Sequence, residues 1–199
     1  MQTGRRETKA QTLRDHLRAA TAHSHDRLDT SMRPASDWRS REDYGRFLSV
    51  QFCARVPVEH WLSSLAPADL RPPEQTHLLV SDLINLGMPI PKAGDALGLE
   101  YKGRATAIGV AWVLAGSSLG NKAMLLDMQR TLPQGERWPH YFLGAEAMTE
   151  FWKTLRSGVE VAVDAQAAQE ATRAATFVFD HFLDAANSNI SQKIPVGAQ

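Results

Sequence analysis

The chain has 199 residues, 43% hydrophobic and 22% charged, which suits one ordinary globular domain long enough to bury a core. Lysine plus arginine and aspartate plus glutamate both number 22, so the formal net charge is zero and the strongly basic balance of a nucleic-acid binder is excluded. The single cysteine, Cys53, excludes an internal disulfide framework and a cysteine-only metal cluster, and points to a reducing cytoplasm.

The opening MQTGRRETKAQ is basic but has no apolar stretch behind it, so no secretory signal is expected. No uninterrupted apolar run approaches the length of a membrane span, so no membrane partner is expected. Residues 1–9 and the tail from about Ser188 to 199 are expected to be flexible ends. Residues 10–29 read as an amphipathic helix, with Leu13, Leu17, Ala20 and Leu28 at helical spacing. PASDW at 34–38 is expected to break the chain. Helical spacing returns over 40–64, with Tyr44, Phe47, Leu48 and Phe52 on one side, and Pro57 is expected to kink or split that segment. A short helix follows over 74–86, closed by Gly87 and Pro89. Residues 88–103 read as loop and 104–130 as a long apolar helix. LPQGERWP makes a turn, and helices over 145–156 and 159–186 complete the set. Convincing period-two strands and internal repeats are missing, so the prediction is an all-α single domain of six to eight helices.

The sequence carries no phosphate-binding loop, no dinucleotide-binding glycine fingerprint, no nucleophile elbow and no HExxH. Two features stand out instead. Three of the seven histidines, His16, His23 and His25, fall in the first helix. On a helical wheel centred near Leu17, His25 lies about 80° from the centre of the apolar stripe and His23 about 120° away on the other side. Arg18 shares the face of His25 two turns earlier, roughly 10 Å along the axis. A neutral imidazole and a guanidinium so placed could hold a flat ligand with an electron-poor metal and peripheral carboxylates. A lone helix histidine is, however, ordinarily a surface or core residue. The second feature is AIGVAWVLAGSSLGNKAM (107–124), a buried-looking helix with Gly116, Ser117, Ser118 and Gly120 in its middle. Each glycine costs about 1 kcal/mol against alanine in a helix. Gly116 and Gly120 lie on one face. They can admit a planar ligand to the backbone and let the helix bend, or they can serve close helix–helix packing.

Taken together, these residues resemble the heme oxygenase family, in its bacterial, biliverdin-producing branch. LRAATAHSHDRLD (17–29) is similar to the family's proximal helix, with a Leu-basic pair, an Ala-Thr, then the iron-binding histidine followed by an acidic residue. REDYGRFL (41–48) resembles the start of the second helix. AIGVAWVLAGSSLG (107–120) resembles the distal helix, and FWKTL (151–155) a later helix that contributes a basic residue. The likeness runs over roughly residues 12–186. LAGSSLG leans towards the phytochrome-associated type.

The resemblance implies a heme oxygenase-like helical bundle, with heme sandwiched between a proximal N-terminal helix and a kinked, glycine-rich distal helix. It implies oxygen- and reductant-dependent cleavage of heme to biliverdin, carbon monoxide and ferrous iron, with heme as both cofactor and substrate. His25 would bind iron. Gly116 and Gly120 would form the distal wall, and Ser117 would support distal water. Arg18, and Lys153 as a second partner, would pair with heme propionates. Trp112 and either Phe177 or Phe179 would line the pocket, or be plain core. Electrons would come from a ferredoxin or a flavoprotein reductase, and the bilin would serve iron recovery or pass to a bacteriophytochrome. Many relatives carry Glu where this chain has Ala115 and Gly where it has Asn121, which bears on the distal water network. His23 is the rival ligand. The competing readings are a non-catalytic heme carrier or sensor, and a different enzyme on the same fold, such as a thiamin-salvage or quinone-cofactor protein.

Overall fold

The computed structural model describes residues 11–191 except 37, 39 and 163, without the side chains of 33–36 and 189–191. Six α-helices are present among the described residues: α1 (Leu13–Ser36), α2 (Arg41–Leu65), α3 (Thr76–Leu86), α4 (Arg104–Thr131), α5 (Glu146–Gly158) and α6 (Ala165–Ser191), with a 3-10 turn at Ala68–Leu70. The nearest approach to a strand is one isolated bridge between Thr12 and Ala162. The expected flexible ends, 1–9 and 192–199, lie outside the described residues. Residues 188–191, expected to belong to the tail, are instead the last turn of α6. Likewise α1 runs through Pro34 to Ser36 instead of breaking at 34, and α6 begins at Ala165, later than the expected 159.

One core joins α1, α2, α4, α5 and α6. From α1 it takes Leu13 and Leu17, both buried. Its centre is the crossing of α4 and α6, made from small residues: Ala107, Ala111 and Ala115 against Ala171, Ala174 and Ala175, all fully buried. The axes come close because position 109 is glycine. A Cβ there would overlap the Ala171 carbonyl oxygen and stand 2.9 Å from the Ala174 Cβ. The start of α1 is tied down by the 159–161 segment, through Leu13 N–H to Val161 O (3.2 Å) and Arg14 N–H to Val159 O (3.0 Å). A second core gathers Tyr44, Phe47 and Leu48 of α2, Leu79 and Leu83 of α3, and Trp138, Phe142 and Leu143 of the connection after α4.

Pro57 neither splits nor ends α2, which is a single helix across it. Proline removes the N–H that would have bonded the Cys53 carbonyl. That carbonyl accepts the Gly94 N–H instead, at 3.2 Å. The approach demands glycine, since a Cβ at 94 would stand 2.7 Å from the same oxygen. Pro57 is therefore an anchor for the 88–103 loop, which Trp61 Nε1 also holds by donating to Leu99 O at 2.8 Å.

Two buried carboxylates on helices serve backbone elsewhere. Glu59 of α2 accepts from the N–H groups of Gln75 and Thr76 (2.9 and 3.2 Å) and from the Thr76 hydroxyl (2.6 Å), capping α3, whose own Gln75 makes no side-chain cap. Asp82 of α3 accepts from the N–H groups of Tyr141 and Phe142 at 2.8 and 2.9 Å. Replacing Asp82 by alanine strands one buried and one half-buried N–H, so a loss of about 2–4 kcal/mol is expected. Denaturant midpoints of Asp82→Ala and Asp82→Asn check it; the asparagine, which keeps one acceptor oxygen, should lose about half as much.

Candidate functional site

His25 lies one turn after the buried Thr21 on α1, at the edge of the apolar stripe, with its side chain 60% exposed. Its ring meets the buried Phe179 of α6 edge-on, centroids 6.1 Å apart. Nδ1 stands 3.2 Å from Asp29 Oδ2, one turn further on. The contact is one of charge proximity between two exposed side chains; in the neutral imidazole a carboxylate this near favours the hydrogen on Nδ1, which leaves the Nε2 lone pair free. A metal-ligating histidine needs that nitrogen free. His23, the rival, is exposed and has no such partner among the described residues. Arg18 is exposed, with no ion-pair partner among the described residues.

On α4 the candidate face runs Trp112, Gly116, Gly120, one turn apart each. Trp112 packs against Trp152 of α5, ring centroids 4.9 Å apart. The two readings of the glycines can now be separated. Gly109 is the packing glycine, wedged against α6. A Cβ at Gly116 would meet only the Trp152 ring, at an ordinary 3.8 Å, and a Cβ at Gly120 would meet nothing within 4 Å. Packing within the chain requires neither of them. Their combined cost, about 2 kcal/mol of helix propensity, leaves backbone bare along an open strip bordered by two tryptophans. Such a cradle suits a flat, largely apolar ligand. The helix is not interrupted here: α4 is continuous from Arg104 to Thr131. The Ser117 and Ser118 hydroxyls donate back to the carbonyls of Leu114 and Ala115, both at 2.7 Å, which satisfies them within the helix.

That bond changes what Ser117 can do. Its one hydrogen is committed to Leu114, so towards any neighbour the oxygen is an acceptor. The neighbour is Arg55 of α2, whose Nη2 donates to Ser117 Oγ at 2.6 Å. Arg55 is fully buried, its Nε lies 3.4 Å from Gln51 Oε1, and its Cζ sits 4.9 Å over the Phe142 ring. Burial lowers its pKa to about 10, opposed by the Glu59 charge. Sequence reasoning missed it. The signal was there: Arg55 falls on the stripe of Leu48 and Val58, where a charge has no place on a solvated face.

The other expected residues are scattered around this frame. Lys153 is exposed on α5 beside Trp152, its ammonium 2.7 Å from Glu150. Phe177 is 38% exposed and makes no ring contact among the described residues; the neighbouring candidate Phe179 is the one at His25. Ala115 and Asn121 are both buried, unlike Gly120. Two cavities, one between α1 and α6 around His16 and Thr172, the other around Arg41, Met128 and Trp138, are lined by neither His25 nor the glycines. Among the described residues, no three His, Cys, Asp or Glu side chains are grouped to hold a metal ion, and no helix is long and apolar enough to cross a membrane.

No family model matches the chain. Heme oxygenase PigA of Pseudomonas aeruginosa is 28% identical over 119 residues, 57% of this chain and 60% of that protein. The aligned part thus spans about 60% of the length of the curated relative. Among solved structures, the NO- and CO-bound heme oxygenase of Neisseria meningitidis superposes with a TM-score of 0.69, covering 95% of this chain and 96% of that one at 22% identity. The all-helical architecture described above is that fold.

Proposed function

We infer that this chain, built on the heme oxygenase fold, belongs to the heme oxygenase family, and we propose that it cleaves heme to biliverdin, carbon monoxide and ferrous iron with oxygen and reductant. The observation that carries the proposal is the strip at Gly116 and Gly120: two glycines in mid-helix that the protein's own packing does not use. Bound heme supplies the iron that activates oxygen and is itself the substrate. The residues present fit that group. His25 would hold the iron through Nε2, with Asp29 on Nδ1 fixing the tautomer and raising the basicity of the ring. Phe179 would limit the swing of the imidazole from one side.

Gly116 and Gly120 would form the distal wall, letting the macrocycle lie against backbone, with Trp112 one turn before them. Arg18 and Lys153 would pair with the propionates, Lys153 by leaving Glu150, a surface pair worth little. Of the two phenylalanines, Phe179 would line the pocket, since Phe177 lies about 200° further round α6 from it. Ser117, its hydrogen engaged by Leu114, would support a distal water only by accepting a hydrogen bond from it. Electrons would come from a ferredoxin or a flavoprotein reductase, and the bilin would serve iron recovery or a bacteriophytochrome. The lone Cys53 supports a cytoplasmic setting.

One cuvette tests the proposal. Hemin is titrated into the protein and the Soret band followed; ascorbate or a ferredoxin system is then added in air. A one-to-one complex whose Soret band decays into broad red bilin absorption is expected. Heme that is bound but left intact would make the protein a carrier or sensor, and no specific binding would leave the fold without the activity.

A further inference from the structure

The second of the two cavities, about 840 Å³ in volume, opens between the last turns of α4, the link from α1 to α2 and the connection after α4. The roles above leave it unused. Its walls are aromatic and polarizable: Trp38 and Trp138 from the two connections, Met124 and Met128 from α4. Both tryptophans pack on the fully buried ring of Tyr44, with centroids 4.7 and 5.8 Å away. The cage is therefore held in place before any ligand arrives, which leaves little ordering cost for binding to meet. The lining charges are unbalanced: three carboxylates, Glu42, Asp127 and Glu136, stand against one guanidinium, Arg41. Arg41 Nη2 reaches the Asn85 carbonyl of α3 at 3.4 Å. Glu42 is answered by Arg46 at 3.0 Å. Glu136 accepts the neutral Trp138 Nε1–H at 2.8 Å, which leaves its charge without a cation. Asp127 has no side-chain partner among the described residues.

We propose that this cavity binds an organic cation, an amidinium or guanidinium carried on a flat apolar body. The tryptophans and methionines take the body and share in holding the charge. Asp127 and Glu136 take the N–H groups by charge-assisted hydrogen bonds. An anion would meet the excess of carboxylates, and a neutral body would leave Asp127 unanswered. A bare metal ion is a poor occupant, because no three His, Cys, Asp or Glu side chains are grouped to hold one among the described residues. The volume falls within the range of small-molecule sites, and three segments enclose it, which suits a free small molecule. Asp127 shares the α4 face of Gly120 but lies two turns beyond it, so the site is separate from the heme strip and does not rest on the heme reading.

The test titrates the protein in a calorimeter with benzamidine, a cation at neutral pH, and with its neutral isostere benzamide. Benzamidine should bind one-to-one with a Kd of about 1 mM and about tenfold tighter than benzamide. Asp127→Asn should weaken benzamidine about threefold and leave benzamide unchanged. Trp38→Leu should weaken benzamidine about fivefold. Glu100→Gln, which removes an exposed carboxylate from the 88–103 loop, should change neither affinity. No saturable binding, equal affinity for the two probes, or full benzamidine affinity in both Asp127→Asn and Trp38→Leu would overturn the proposal. Hemin added to the benzamidine complex should leave benzamidine bound; displacement would also overturn it, by making the cavity part of the heme cleft. A chain that binds benzamidine but no heme would keep this inference and overturn the proposed function alone.

Discussion

Gly109→Ala and Gly120→Ala, two identical changes in α4, are expected to move stability in opposite directions. At 109 the new methyl overlaps the Ala171 carbonyl oxygen and crowds the Ala174 Cβ. Neither neighbour is a flexible side-chain end, so the α4–α6 crossing itself must open, unpacking the fully buried alanines on both helices. A loss of about 3–5 kcal/mol is expected, a large part of a typical domain's margin. At 120 the methyl meets nothing within 4 Å, so the variant gains alanine's helix propensity, about 0.5–1 kcal/mol. The same methyl stands where the macrocycle should lie, and a misplacement near 1 Å can cost about a hundredfold in rate. Urea midpoints of the heme-free proteins, beside their rates of bilin formation, read both halves. A Gly120→Ala protein that is more stable and as fast as wild type would show that the strip is not a ligand wall, and the observation behind the proposed function would be gone.

His25→Ala should do the reverse: little to stability, nearly everything to activity. The side chain is 60% exposed, so the midpoint should move by no more than about 0.5 kcal/mol. Losing a partner of a metal-ligating histidine typically costs about 10–100-fold in affinity or activity. Asp29→Ala should fall in that range, and loss of the ligand itself should exceed it. The heme complex of His25→Ala should show a displaced Soret band that added imidazole restores, and His23→Ala should match wild type in both spectrum and rate. Loss of activity in His23→Ala with His25→Ala unaffected would move the ligand to the rival position.

Arg55 is a buried charge whose cost can be read from pH. A guanidinium whose folded pKa is lowered to about 10, below its ordinary value, is less willing to be charged in the folded state than in the unfolded one. Between those two values the unfolded chain binds more protons, so stability rises with pH there, and at neutral pH the charge is a net burden. Arg55→Met should therefore be at least as stable as wild type near pH 7, as urea midpoints of the two proteins would show.

The helices were legible in the sequence because their cause is local. Leu13 and Leu17 recur at the helical period, Gly87 supplies the left-handed stop of α3 at φ 73°, and the glycine-serine cluster sits openly in α4. The same locality fixes the register of His25 against Leu17 and against the acidic residue one turn on, both properties of a single helix. Tertiary structure decided whatever depends on a partner far away in the chain. Pro57 reads as a break until Gly94 arrives to bond the carbonyl it orphans. Gly109 and Gly120 look alike as letters; α6 behind one makes it a packing residue, and open space beside the other leaves its backbone bare. Arg55 reads as one more charge on a helix until α4 and Phe142 close over it. Periodicity and propensity are written within a few residues, whereas burial, hydrogen-bond satisfaction and the space beside a Cα are set by segments that only folding brings together.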